Sequence, residues 1–165
     1  MRGTLLERFL ERARQHGDRV ATVHTTNDRQ VETTWSVWDR RSRTLASALV
    51  ALGLRPGDRV AILSPSRIEW AWIDLAIMMA RCISVPIFST ETDQTCAEVL
   101  QATGARLAIA ASPRQAAKLV SAQRRGAPLE RAVMLDSRPG EDPESREPVV
   151  DEASLRHLAP EGWLL

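Results

Sequence analysis

The chain has no tyrosine, and its 22 basic residues include a single lysine, Lys118; the other 21 are arginines. That bias is compositional and carries no chemistry of its own. Cysteine is nearly as scarce. Cys82 and Cys96 are too few for a disulfide framework and do not stand at a metal-ligand spacing, so a reduced, cytoplasmic setting is the expectation. Net charge is only +1, which gives no reason for attraction to nucleic acid or to a membrane surface. No long apolar run exists either. The most apolar stretch, 68–88, is interrupted by Glu69, Asp74 and Arg81, short of the roughly 20 apolar residues a membrane span needs. The first ten residues carry Arg2, Glu7 and Arg8 and do not read as a signal peptide.

Phosphate-binding glycine loops are missing too. The 8 glycines are scattered singly, with no Gly-x-Gly-x-x-Gly and no Gly-Lys-Ser/Thr. This argues against an independent dinucleotide-binding domain. His16, His24 and His157 share no ligand spacing. The 5 tryptophans read as core or interface packing rather than as a platform for bases. The cluster Arg40, Arg41 and Arg43 reads as a wet helix face.

What is present suits one globular domain: 44% hydrophobic and 26% charged residues over 165 positions. Residues 4–16 form an apolar stripe at helical spacing through Leu5, Leu6, Phe9, Leu10 and Ala13, closed by Gly17. Residues 19–26 and 30–34 read as a β-hairpin turning at Asn27 and Asp28. A long helix follows over 34–52, with Val37, Arg41, Leu45, Ala48, Leu49 and Leu52 on one face. From residue 59 onward, strands at 59–64, 83–88, 106–111 and 131–135 alternate with helices at 66–81, 92–103 and 112–125. Such alternation predicts an α/β fold, a mostly parallel sheet with helices on both faces. Two capping boxes are predicted, Ser66 with Glu69 and Ser112 with Gln115, the second with Pro113 at the first helical position. Loss of the first box through Ser66→Ala would cost about 0.5–2 kcal/mol. The domain is expected to span 1–136. Residues 137–165 are expected to form a polar loop and a short helix over 149–158.

Three passages resemble the opening of long-chain fatty acyl-CoA synthetases, in the adenylate-forming ligase superfamily. Gly53-Leu54-Arg55-Pro56-Gly57-Asp58-Arg59-Val60-Ala61-Ile62 is similar to the family's approach to a strand. Ser64-Pro65-Ser66-Arg67-Ile68-Glu69-Trp70, then Asp74-Leu75-Ala76-Ile77, resembles its strand-to-helix turn. Val85-Pro86-Ile87 through Thr90-Glu91-Thr92, with Gly104-Ala105-Arg106, looks like the third. Departures from the family wording are Ser66 for asparagine, Ser89 for proline, and Arg81-Cys82 for a Gly-Ala pair. If that glycine serves a positive φ, arginine there is costly.

The resemblance implies the first part of the family's N-terminal domain, ending before its Ser/Thr/Gly-rich phosphate loop and its catalytic lysine. ATP, magnesium and CoA are then the complete enzyme's cofactors, none being expected for this chain alone, and no catalytic or metal-binding residue is expected within it. Arg114 and Lys118 lie near where related enzymes bind a CoA phosphate and are the expected cofactor contacts. The function expected is a catalytically incomplete portion of an AMP-forming fatty acyl-CoA ligase. The alternative is a silent interaction module that docks on a full ligase or an acyl carrier. The resemblance also implies a homodimer, with the stripe of Leu6, Phe9 and Leu10 as its contact.

Overall fold

A computed structural model of the chain describes residues 3–26 and 29–135. The expected hairpin turn at Asn27 and Asp28 and the expected helix over 149–158 lie outside the described residues. Eleven elements follow in order: α1 (Leu5–His16), β1 (Val20–Thr26), β2 (Arg29–Thr34), α2 (Trp35–Ala51), β3 (Arg59–Ser64), α3 (Ile68–Met79), β4 (Ile83–Phe88), α4 (Asp93–Thr103), β5 (Leu107–Ala110), α5 (Pro113–Arg124) and β6 (Arg131–Met134). The first two strands pair as an antiparallel ribbon. The other four make a parallel sheet in the order β4-β3-β5-β6.

The parallel sheet is buried on both faces, which explains the unbroken apolar wording of β3. Val60, Ala61, Ile62 and Leu63 are each 0% exposed. Because side chains alternate across a strand, Val60 and Ile62 enter one core with Leu45 and Leu49 of α2 and Ile73 and Ile77 of α3. Ala61 and Leu63 enter a second core with Leu100 of α4 and Leu119 of α5. The expected architecture is therefore present, helices on both faces included. Pro86 stands in the middle of β4, the sheet's outer strand, where a residue with no N–H to donate is tolerated.

Outside the sheet, α1 docks through one aromatic. Phe9 is 6% exposed and packs on Trp35 at 5.9 Å and Trp38 at 5.8 Å between ring centroids. Phe9 is thus spent inside the chain, and of the expected dimer stripe only Leu6 and Leu10 remain half-exposed. Gly17 caps α1 in the right-handed region, φ −47°. Thr4 and Glu7 form a reciprocal capping box at the start of α1, with Thr4 N–H donating to Glu7 at 2.7 Å and Glu7 N–H to Thr4 Oγ1 at 3.2 Å.

Both boxes expected from the sequence are corrected by the structure. The N-cap of α3 is Arg67, one residue later than predicted, and no side chain caps the helix there. Ser66 is exposed, while the Glu69 carboxylate is drawn inward by Arg67. At α5, Pro113 does open the helix, but Ser112 turns its hydroxyl to the Gln115 side-chain oxygen instead of a backbone N–H.

Arg81 resolves the departure noted in the sequence. It takes φ +60°, the left-handed region a glycine favours. Its N–H donates to Met78 O at 2.9 Å and the Cys82 N–H to Ile77 O at 3.0 Å. This is a Schellman ending. The same ending closes α2 at Gly53 and α5 at Gly126, both at φ +87°. Arginine therefore does not reroute the chain; it occupies the glycine geometry at a conformational cost of about 1 kcal/mol.

Arg81→Gly is accordingly expected to stabilise the fold by about 1 kcal/mol, a rise of a few degrees in melting temperature. Differential scanning calorimetry checks it, and an unchanged or lower midpoint would show that the arginine side chain compensates. Burial pushes both thiols above their ordinary range. Cys82 and Cys96 should therefore resist iodoacetamide at pH 8 in the folded chain and both react in guanidinium, as read by intact mass.

Candidate functional site

In open parallel sheets, ligands bind beyond the carboxyl ends of the strands, where the chain reverses its direction of travel across the sheet. Here β3 leads to β4 on one side, and the chain then crosses back to β5 on the other, so the reversal lies between β3 and β5. The crevice there is bounded by Ser64-Pro65-Ser66 after β3 and by Ala111-Ser112 after β5, with α3 and α5 starting on its two walls. Three of the five buried polar residues among those described gather at this end: Ser64, Glu69 and Gln115, at 7%, 5% and 9% exposure.

An arginine spans the crevice. Arg67 Nε donates to Glu69 Oε2 at 2.7 Å, and Arg67 Nη1 reaches Ala111 O at 3.4 Å. One side chain thus joins the loop after β3 to the loop after β5. A buried carboxylate needs such a partner, since an uncompensated one costs several kcal/mol. Ser64 Oγ donates to Pro65 O at 2.8 Å and helps shape the same loop. Beside them, the β4–α4 loop is held by Lys118, whose ammonium donates to Ser89 O at 2.8 Å and Glu91 O at 2.5 Å. Thr92 caps α4, accepting from Thr95 N–H at 3.1 Å. Phe88, 76% exposed, closes the end of β4 next to Ser64 in register.

The residues expected to contact a CoA phosphate separate at this point. Arg114 and Lys118 share a face of α5 one turn apart. Arg114 is exposed, whereas Lys118 already spends two of its three N–H donors on backbone carbonyls. Sequence reading missed the Arg67–Glu69 pair as a site feature. Its signal was an arginine two residues before an acid at a strand-to-helix turn, which capping chemistry explained equally well.

The cofactors implied for the complete family enzyme test differently against these residues. No group of three or more His, Cys, Asp or Glu among the described residues is placed to hold a metal ion. The crevice carboxylate, Glu69, is already engaged by arginine. No glycine-rich loop follows any described strand to cradle a triphosphate. The described residues therefore do not fit magnesium or the ATP phosphates, and no chemical step is assigned to them. Exposed Arg114, in the first turn of α5, is compatible with an anionic contact.

With this geometry in place, comparison with known proteins defines the class. The fold matches the A-PCP didomain of carboxylic acid reductase from Segniliparus rugosus, solved with AMP, at TM-score 0.73 and 18% identity, over 87% of this chain and 23% of that one. It also matches the N-terminal subdomain of Klebsiella oxytoca NpsA, solved with 3-hydroxybenzoyl-AMSN. There the TM-score is 0.57 and the identity 30%, over 64% of this chain and 26% of that one. The chain belongs to the AMP-binding enzyme family, whose model matches residues 9–161. Among curated relatives, the long-chain-fatty-acid–CoA ligase FadD15 of Mycobacterium bovis is 42% identical over 59 residues, 36% of this chain. That match spans 10% of the relative's length. No described helix is long and apolar enough to cross a membrane.

The corrected geometry reverses one expectation about stability. Ser66→Ala should shift stability by no more than about 0.5 kcal/mol, as for an exposed residue with no partner. Glu69→Ala should cost about 1–3 kcal/mol by removing the buried carboxylate that Arg67 Nε bonds. Urea denaturation of both variants reads the contrast; equal effects would mean that the Arg67–Glu69 pair does not hold the crevice.

Proposed function

We propose that this chain forms the first part of the N-terminal domain of an AMP-forming fatty acyl-CoA ligase, catalytically incomplete without the rest of that enzyme. The observation that carries the reading is the 42% identity to a long-chain-fatty-acid–CoA ligase over 59 residues, in a chain that matches the AMP-binding family along most of its length. The physical argument supports it. Adenylation of a carboxylate by ATP develops negative charge that fixed donors and a metal must offset. The described residues supply a scaffold whose loops meet at the carboxyl end of the sheet, but no such constellation. On this reading the segment shapes one side of a nucleotide-activating site whose reactive groups come from elsewhere in the enzyme. Exposed Arg114 is its contact for a CoA phosphate, with Lys118 holding the neighbouring loop. Arg81 takes a positive φ of the kind a glycine favours, so that substitution does not favour the alternative of a silent interaction module.

Two measurements test this. The chain alone should give no ATP–pyrophosphate exchange with C8 to C18 fatty acids; exchange above a heat-killed control would overturn its incompleteness. Grafted in place of the matching segment of a long-chain-fatty-acid–CoA ligase, it should support acyl-CoA formation. A folded but inactive chimera would overturn the assignment to that enzyme class.

A further inference from the structure

Charge is divided unevenly along the chain. Residues 136–165 carry eight carboxylates against three arginines, a net of −5, while residues 1–135 carry 19 basic and 13 acidic side chains, a net of +6. The acids include Glu141, Asp142, Asp151 and Glu152, in a segment that also holds Val149, Val150, Leu155 and Leu158. It is both acidic and apolar.

The described residues form a groove between α1 and α2, about 650 Å³, lined by Leu10, Glu11, Ala13, Arg14, Ser36, Asp39 and Arg43. Both acids of the groove accept hydrogen bonds, Asp39 from a cation and Glu11 from a neutral amide. Asp39 accepts from Arg43 Nε at 2.9 and 3.0 Å, and Glu11 accepts from Gln15 Nε2 at 3.0 Å. Arg14 has no carboxylate partner among the described residues, and the Arg43 side chain is 59% exposed. The apolar Leu10 and Ala13 beside the exposed Arg14, with Arg43 shared with Asp39 through Nε and its two Nη groups left over, fit an acidic, partly apolar strip of polypeptide.

Connectivity allows this chain to provide that strip. The last described residue, Leu135, lies in the same core as Leu45 and Leu49 of α2. The 17 residues of α2 are roughly 25 Å long. The stretch 136–148 reaches up to about 43 Å when extended. We propose that the acidic segment 149–158 of this chain docks in the α1–α2 groove, with its carboxylates on Arg14 and Arg43 and its apolar residues over Leu10 and Ala13. The link is ionic and exposed, so it weakens with salt. It would fasten the end of the α/β layer to the first helix of the chain.

Hydrogen–deuterium exchange on the full chain at low micromolar concentration tests this. In the wild type, peptides covering 149–158 should exchange about tenfold more slowly than the free sequence in 50 mM salt and lose most of that protection in 1 M salt. The double charge reversal Arg14→Glu/Arg43→Glu should abolish the protection while leaving peptides over 60–64 and 107–110 unchanged, which shows that the fold persists. Adding Asp151→Arg/Glu152→Arg to that variant should restore it. Exchange of 149–158 at the free rate in the wild type would overturn the proposal, as would protection indifferent to the reversal. Protection that grows with protein concentration would also overturn it, by placing the segment in the groove of a second copy.

Discussion

Everything in this fold answers to one constraint: a parallel strand with no exposed residue must be covered on both sides. Four consecutive residues of β3, Val60 to Leu63, have no contact with solvent. Their alternation sends two toward α2 and α3 and two toward α4 and α5. The helices are where they are because that strand cannot be left half-bare. The order β4-β3-β5-β6 reverses the chain's direction beside β3, and with the usual right-handed crossovers that reversal places α3 on one face and α4 and α5 on the other. The crevice is a by-product of covering the strand, and its polar residues are those that can be satisfied where apolar packing ends.

Arginine does much of the joining at the ends of the sheet. At the end where the strands start, Arg59 donates to Thr103 O at 2.8 Å and Gly104 O at 3.2 Å, meeting the carbonyls that α4 leaves unpaired at its C-terminus. A methyl group at Gly104 would lie 2.8 Å from that guanidinium, so the glycine serves the close approach as well as its φ of +65°. Arg131 bonds the Leu52 carbonyl and ties β6 to the end of α2. At the opposite end Arg67 plays the corresponding part across the crevice. The arginine-rich composition, chemically silent in the sequence, here supplies planar, many-donor groups that satisfy backbone carbonyls brought together from distant parts of the chain.

The alternation of strands and helices was legible because each β-strand is a short apolar run bounded by Gly, Pro or a cap, and each helix carries its period. Helix starts were less legible. Ser66 and Glu69 have the spacing of a capping box, but the pattern holds no information about a competing cation. Arg67, between them, takes the carboxylate inward, and the helix starts a residue later. Thr4 and Glu7 have the same spacing and no such competitor for Glu7, and there the box forms. At Arg81 the sequence showed a cost, but only the backbone could show whether it was avoided or borne. Of the crevice, the loops were visible as wording; the pairing of Arg67 with Glu69 and the engagement of Lys118 with the β4–α4 loop needed three dimensions, since their partners are set by packing rather than by local pattern.

Pro86 has a consequence for how the sheet can be extended. An outer strand whose central residue has no hydrogen to give is a poor template for another strand, so the β4 margin is blunted against edge-to-edge growth. The opposite margin, β6, carries no proline. Growth of the described sheet is thus one-sided: a strand added by further polypeptide or by a second molecule finds an edge free of proline only along β6, and two copies joined through that edge would close as a pair, each with its β4 facing outward.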